Sequence, residues 1–327
     1  MDLLPASRCL VAALATPLAP DLAPDEGRLV HRARGLLAAG CDGIALFGTT
    51  GEGPEFAVAD RTATLEAMLA AGLPAGRLIV SAGALAIPDV AELATHATVR
   101  GVHGVLLMPP CVYRGGITED ATFRYFAAVI ERVARPDLRL YLYHFPEICG
   151  VPITPTVIRR LDERYPGTVA GVKDSGGELG FTEELMRRFS HLSVFTGSEM
   201  HLPELVALGA RGTVCGLANA MPRLMRAMLD APTAFDRREI LKRLIEGDAI
   251  LGRWPFIPSV KAVLADLLGD PAWRRCIPPL PEPPMAEVRR LVADFRDWDA
   301  RLPPAWQNAA AFTGDAPEAG RKAARQP

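Results

Sequence analysis

The chain alternates between short apolar segments and longer segments with the periodicity of amphipathic helices. The apolar segments are rich in Val, Ile and Leu and show little polar alternation, which is typical of parallel strands buried on both faces. They comprise residues 9–13, 43–47, 78–82, 104–108, 138–143, 169–173, 193–196 and 212–216. The pattern therefore predicts eight buried parallel strands.

The segments between these strands carry apolar residues at i, i+3 and i+4, with Arg and Glu on the opposite face. The clearest of them are residues 25–39, 58–71, 90–99, 118–133 and 154–165. Two of these segments begin with signals that are typical of helix starts, Thr118 followed by two acidic residues and Thr154 followed by Pro155. Strands and helices are thus predicted to alternate.

Eight strand–helix units before residue 220 predict an α/β protein with a (β/α)8 TIM barrel. An open doubly wound sheet is the alternative, but it would carry a glycine-rich dinucleotide turn after the first strand, and none is present there. Residues 1–220 are therefore assigned to the barrel and residues 221–302 to additional C-terminal helices packed on it. Residues 303–327, rich in Ala, Pro, Gly and charge, are predicted to form a flexible tail.

Composition and charge argue against several classes of protein. The 327 residues are 49% hydrophobic and 23% charged, as in globular proteins rather than collagenous or disordered chains. A net charge of −2 without a basic cluster argues against a nucleic-acid partner. No apolar run approaches the roughly 20 residues that span a membrane, and the first residues do not resemble a signal peptide. Six scattered cysteines without a CxxC pair favour reduced thiols and a cytoplasmic location.

Lysine is rare in this chain, since only four of the 36 basic residues are lysines. Lys242 lies in a polar helical segment and Lys322 in the predicted tail, which indicates surface positions. Lys261 lies in an apolar helical segment and is either a surface residue or a support for a site. Lys173 differs from all three because it ends a predicted strand.

Catalytic groups of (β/α)8 barrels lie at the carboxyl ends of the strands, which is where the sequence places Lys173. Because a buried ammonium is costly to desolvate, the neutral amine is favoured there, and it can attack a ketone to form a Schiff base. A structural lysine that pairs with the adjacent Asp174 at the barrel rim explains the position equally well.

Two other strand ends carry groups that fit such chemistry. Tyr143 ends the fifth predicted strand, where its phenol is either a proton relay or an aromatic packing residue. The second strand is followed by Gly48-Thr49-Thr50-Gly51-Glu52, whose glycines allow a sharp turn and whose hydroxyl and N–H groups can converge on a carboxylate. Together with Lys173, these groups would face one end of the barrel and fit an α-keto acid.

The sequence resembles the dihydrodipicolinate synthase and N-acetylneuraminate lyase family of pyruvate-dependent class I aldolases. The resemblance rests on Gly48-Thr49-Thr50-Gly51-Glu52, Tyr143-His144-Phe145-Pro146 and Gly171-Val172-Lys173-Asp174, in the family's order and spacing. It extends over residues 7–300 and implies the same barrel with a Schiff-base lysine.

The resemblance implies that Lys173 forms the imine with pyruvate and that Thr49 and Tyr143 transfer protons. It further implies that Thr49 and Thr50 hold the carboxylate and that Gly197 and Val214 line the site. Gly48 and Ser175 complete the predicted set of substrate-binding residues. No metal or organic cofactor is implied, because the protonated imine is the electron sink. The implied partners are pyruvate and an aldehyde, and the implied assembly is a homotetramer built as a dimer of dimers.

Two residues depart from the family's synthases. Val112 stands where a relay tyrosine that reaches the neighbouring subunit's site is expected, and Tyr113 lies one residue away. Ile148 stands where the synthases carry an arginine that binds the carboxylate of their second substrate. The sequence therefore favours an aldolase that cleaves or forms a 2-keto-3-deoxy acid.

Three alternatives to that aldolase remain open. They are a Schiff-base dehydratase of a 2-keto-3-deoxy sugar acid, a dihydrodipicolinate synthase-like activity, and a non-catalytic barrel that binds a keto acid. An aldolase would release pyruvate and an aldehyde, whereas a dehydratase would release a longer 2-keto acid. The sequence does not decide between these products.

Overall fold

The computed structural model describes residues 4–112, 115–309 and 312, so Tyr113 lies outside the described part of the chain. Within it, eight parallel strands close a barrel in which each strand pairs with the next and the last with the first. The strands are β1 (Cys9–Ala13), β2 (Gly43–Leu46), β3 (Leu78–Ser81), β4 (Gly104–Leu107), β5 (Leu140–His144), β6 (Val169–Asp174), β7 (Ser193–Thr196) and β8 (Gly212–Cys215). The predicted (β/α)8 TIM barrel is confirmed.

Helices surround the barrel and continue beyond it. They are α1 (Glu26–Ala38), α2 (Val58–Ala70), α3 (Ile87–Val99), α4 (Glu119–Val133), α5 (Pro146–Cys149), α6 (Pro155–Arg164), α7 (Leu179–Arg188), α8 (Leu202–Ala207), α9 (Pro222–Asp230), α10 (Ala234–Leu251), α11 (Phe256–Leu267) and α12 (Met285–Ala300). The hydroxyls of Thr118 and Thr154 cap α4 and α6 by accepting backbone N–H groups, as the sequence predicts.

Strand β5 begins two residues later and ends one residue later than predicted, and β6 also extends one residue further. The added residues, His144 and Asp174, pair side by side in the sheet, directly beyond the Tyr143–Lys173 pair. The ladder therefore continues past Tyr143 and Lys173 and holds their backbones next to each other.

The barrel interior is packed with side chains. Alternate strand residues point inward, and among them the ring of Tyr141 lies between Gly104 and Gly171. A Cβ atom at Gly104 would lie 2.4 Å from this ring, and one at Gly171 would lie 2.8 Å from it. The Tyr141 hydroxyl also lies 3.0 Å from His103 Nε2. Tyr141 therefore fills the layer below Tyr143, which is two residues further along the same strand.

The C-terminal helices are anchored to the barrel by a buried ion pair. Lys261 on α11 and Glu52, in the loop after β2, are both almost completely inaccessible and form a direct contact. Lys261 Nζ also donates to the carbonyl of Arg275 at 2.8 Å, and Glu52 accepts the N–H of Ile277 at 2.7 Å. Lys261 is therefore a buried support and not a surface residue.

The described beginning of the predicted tail is packed against the helices. Asn308 is fully buried, accepts the N–H of Leu224 at 3.3 Å, and donates to Asp299 at 2.9 Å. The ring of Phe312 lies 4.0 Å from the guanidinium carbon of Arg32. Packing against the barrel and its C-terminal helices thus reaches at least Phe312.

We predict that Lys261→Met lowers the free energy of unfolding by about 3–5 kcal/mol, because it leaves the Glu52 carboxylate buried without its charged partner. Urea denaturation followed by circular dichroism measures this change. The matched control is Lys242→Met, which removes an exposed lysine paired with Glu239 and should change stability by no more than about 0.5 kcal/mol.

The double variant Lys261→Met/Glu52→Gln should recover part of the lost stability, since neither charge then remains buried. Equal unfolding midpoints for Lys261→Met and Lys242→Met would show that the buried pair does not anchor the helices.

Candidate active site

Lys173 lies near the carboxyl end of β6 with 5% of its surface exposed. It pairs in register with Tyr143 of β5, and its Nζ lies 4.1 Å from the centroid of the Tyr143 ring. Within the described chain Lys173 forms no ion pair with a carboxylate. The amine therefore lies beside the Tyr143 ring without being held by a carboxylate, which suits a nucleophile.

The alternative of a structural lysine requires an ion pair between Lys173 and Asp174, and the described structure contains no such pair. Its carboxylate accepts the N–H of Gly176 at 2.9 Å and the hydroxyl of Thr182. His144 Nε2 lies 4.0 Å away, and His144 Nδ1 accepts the N–H of Ile153 at 3.0 Å. Burial lowers the pKa of His144, although the nearby Asp174 opposes this shift. Asp174 and His144 therefore brace the loops after β5 and β6.

Tyr143 and Thr49 bring two hydroxyl groups together at the same end of the barrel. The Tyr143 phenol oxygen lies 3.5 Å from Thr49 Oγ1, at the outer limit of a hydrogen bond. Either oxygen is able to donate, so the pair is able to pass a proton. The Tyr143 ring also packs against Phe145, with 5.9 Å between the ring centroids.

The loop of residues 48–52, which we call the carboxylate loop, folds into tight successive turns. The Gly48 carbonyl accepts the N–H groups of Gly51 and Gly53, at 3.0 and 3.2 Å. The N–H groups of Thr49 and Thr50 donate to no acceptor within the described residues. Two adjacent unpaired amides beside threonine hydroxyls are suited to hold a carboxylate.

A cavity of about 460 Å³ opens beside Lys173, and we call it the active-site cavity. It is lined by seven of the eight predicted site residues, namely Thr49, Thr50, Tyr143, Lys173, Ser175, Gly197 and Val214. Gly48 instead lines a small adjoining cavity of about 50 Å³ and acts on the site through its carbonyl. The structure thus gathers the residues of five strand ends around one space.

Gly197 is required by close packing at the floor of this cavity. A Cβ atom there would lie 2.0 Å from Ser175 Oγ and 3.1 Å from Lys173 Cε. Any side chain at this position would therefore displace Lys173 or the loop that follows it.

The cavity also contains residues that the sequence analysis did not assign to the site. The most distinctive are Glu199, directly after β7, and Asp248 on α10. Burial raises the pKa of Glu199 to about 7, and Asp248 adds to this shift while Lys173 opposes it. Burial also raises the pKa of Asp248. Glu199 belongs to a strand-end segment and was identifiable in principle, whereas Asp248 lies on a helix beyond the barrel.

The two departures from the synthase pattern occupy different places. Ile148 lines the active-site cavity, whereas Val112 is 57% exposed on the loop after β4.

Among the described residues, no group of three His, Cys, Asp or Glu side chains is arranged to hold a metal ion. None of the described helices is long and apolar enough to cross a membrane.

Comparison with known proteins yields one family. The sequence model described as the dihydrodipicolinate synthetase family matches residues 6–291. An uncharacterized DapA-like lyase of Chloroflexus aurantiacus is 37% identical over 227 residues, which cover 68% of this chain and 74% of that protein. The 4-hydroxy-tetrahydrodipicolinate synthase 1 of Streptomyces coelicolor is 34% identical over 277 residues, 83% of this chain and 87% of that one.

Solved structures agree with the sequence matches. Dihydrodipicolinate synthase from Agrobacterium tumefaciens has a TM-score of 0.82 and 31% identity, covering 89% of this chain and 99% of its own. A variant of the 2-keto-3-deoxygluconate aldolase of Sulfolobus solfataricus has a TM-score of 0.79 at 22% identity, covering 90% and 97%, which shows a shared fold. From these matches and the barrel itself, we conclude that the chain belongs to the dihydrodipicolinate synthetase family.

Proposed function

We propose that this protein is a lyase, a class I aldolase that cleaves or forms a 2-keto-3-deoxy acid through an imine of pyruvate on Lys173. The observation that carries the proposal is the surroundings of Lys173. Its amine is buried beside the ring of Tyr143 and has no ion-pair partner in the described chain. The relatives named lyases and synthases support the same class of chemistry.

The first step is formation of the imine. The Lys173 amine attacks C2 of the keto acid while the unpaired N–H groups of Thr49 and Thr50 hold its carboxylate. The Tyr143 phenol gives its proton to the departing hydroxyl group, which leaves as water, so the protonated imine forms and Tyr143 remains as the phenolate. The positive charge on the imine nitrogen then withdraws electrons from C3 and C4, so no organic cofactor or metal is needed for this step.

Cleavage follows at the bond between C3 and C4. Tyr143 takes the proton of the C4 hydroxyl, the C3–C4 electron pair moves into the imine, and an aldehyde and an enamine result. Protonation of C3 and hydrolysis of the imine then release pyruvate and restore the Lys173 amine. Thr49, whose hydroxyl lies 3.5 Å from the Tyr143 oxygen, exchanges the proton with Tyr143.

The side chain at position 148 separates this proposal from the activity of the synthase relatives. Ile148 presents a hydrocarbon to the active-site cavity at the place where the resemblance leads us to expect an arginine. A hydrocarbon side chain provides no charged hydrogen bond to a second carboxylate. A 2-keto-3-deoxy acid therefore fits the cavity better than the substrates of a dihydrodipicolinate synthase.

We predict that borohydride reduction in the presence of pyruvate attaches one reduced pyruvate to Lys173, because reduction converts the imine into a stable secondary amine. Intact mass and peptide mapping measure the adduct. Lys173→Arg should abolish it, whereas Lys242→Arg, at an exposed position, should leave it unchanged.

An adduct spread over several lysines, or persisting in Lys173→Arg, would contradict a unique Schiff-base residue. Product analysis on 2-keto-3-deoxy sugar acids completes the test. Pyruvate with an aldehyde supports the aldolase, and a longer 2-keto acid without aldehyde identifies a dehydratase instead.

We predict that Tyr143→Phe lowers kcat by about 10²–10⁴-fold, since it removes the acid–base group while the aromatic ring that packs on Lys173 remains. Trapping of pyruvate on Lys173 should persist in this variant. The matched control is Tyr141→Phe, on the same strand but in the packed interior, which should leave kcat within about a few-fold of the parent. Similar losses of kcat in both variants would indicate a structural role for Tyr143.

A further inference from the structure

The walls of the active-site cavity carry an uneven distribution of charge. Among the described residues that line it, Lys173 is the one cation, whereas Glu147, Glu199 and Asp248 are acidic. Glu147 is exposed at the rim, but Glu199 and Asp248 are partly buried. We call the part of the cavity formed by Glu199 and Asp248 the distal wall.

The distal wall is a built feature of the fold. Glu199 begins the short 3-10 turn Glu199–His201 directly after β7, and α10 packs against this turn. The Glu199 carboxylate accepts the N–H of Leu217 at 3.5 Å, which ties it to the turn after β8. Asp248 comes from α10, so one acid of the pair is supplied by the barrel and the other by the C-terminal helices.

The cation in the cavity is not available to a second acidic group. In the proposed reaction the Lys173 nitrogen becomes part of the imine at C2, next to the keto acid's own carboxylate. The rest of the substrate chain extends into the remaining cavity, where the described charged groups are acids and Ile148 is a hydrocarbon. A carboxylate or phosphate at the far end of the substrate would thus meet like charges, and among the described residues that line the cavity Lys173 alone is a cation.

We propose that Glu199 and Asp248 are specificity-determining residues that select substrates whose distal part carries no acidic group. This inference rests on the proposed function, because it assumes that the keto group is held at Lys173. In this proposal Asp248, which lies outside the barrel, helps to exclude aldehyde partners that bear a carboxylate or a phosphate. The accepted partner is a neutral aldehyde.

Two probes of equal length test the proposal without knowledge of the natural aldehyde. They are 2-oxohexanoate, which ends in a methyl group, and 2-oxoadipate, which ends in a carboxylate. Each is titrated against the enzyme at pH 8, where Glu199 is ionised, and the adduct on Lys173 is trapped with borohydride and measured by mass. Pyruvate is titrated in parallel.

The parent enzyme should need at least about 30-fold more 2-oxoadipate than 2-oxohexanoate for half-maximal trapping, because like charges oppose binding of the terminal carboxylate. Asp248→Asn and Glu199→Gln should each reduce the ratio of the two half-saturating concentrations by about 5-fold or more. The concentration of 2-oxohexanoate that gives half-maximal trapping should change little. The matched control is Glu246→Gln, an exposed acid on the same helix, which should preserve the ratio.

Equal half-saturation by both probes in the parent, or an unchanged ratio in both variants, would overturn the inference. Trapping of pyruvate without trapping of either six-carbon acid would also overturn the inference, because the carbon chain of the probe then does not reach the distal wall. Absence of any adduct with pyruvate is a different result, since it would overturn the proposed function itself.

Discussion

The ion pair between Glu52 and Lys261 is the interaction on which the rest of the site depends. Glu52 is separated from the two threonines of the carboxylate loop by Gly51 alone, and Lys261 belongs to a helix outside the barrel. Because both charges are buried, each requires the other, and the carbonyl of Arg275 and the N–H of Ile277 complete their hydrogen bonds. The pair therefore fixes the carboxylate loop and the C-terminal helices in one arrangement.

Much of the fold and the grouping of the candidate site residues was predictable because both follow from local sequence. Parallel strands buried on two faces leave continuous apolar segments, and the predicted strand bounds lie within about two residues of those observed. Lys173, Tyr143 and Thr49 stand at or just after strand ends, so the strand pattern alone places them at one end of the barrel. The scarcity of lysine also distinguishes Lys173 in the sequence.

The remainder depends on contacts between residues that are distant in the sequence. Asp174 accepts hydrogen bonds from the Gly176 N–H and the Thr182 hydroxyl and does not pair with Lys173. Asp248 is an ordinary acid on an amphipathic helix until α10 is packed against the turn that follows β7. Periodicity specifies which face of a helix is buried, but it does not specify which cavity a polar residue on that helix borders.

The packed interior of the barrel has a consequence for access to the cavity. Tyr141, held between Gly104 and Gly171, and Phe195, whose ring centroid lies 5.9 Å from that of Tyr141, fill the space beneath the site. This closes passage along the barrel axis, so substrates, products and solvent must all use the open end above Lys173. A molecule that enters the cavity and one that leaves it therefore share a single opening, and neither is able to bypass the other through the opposite end of the barrel.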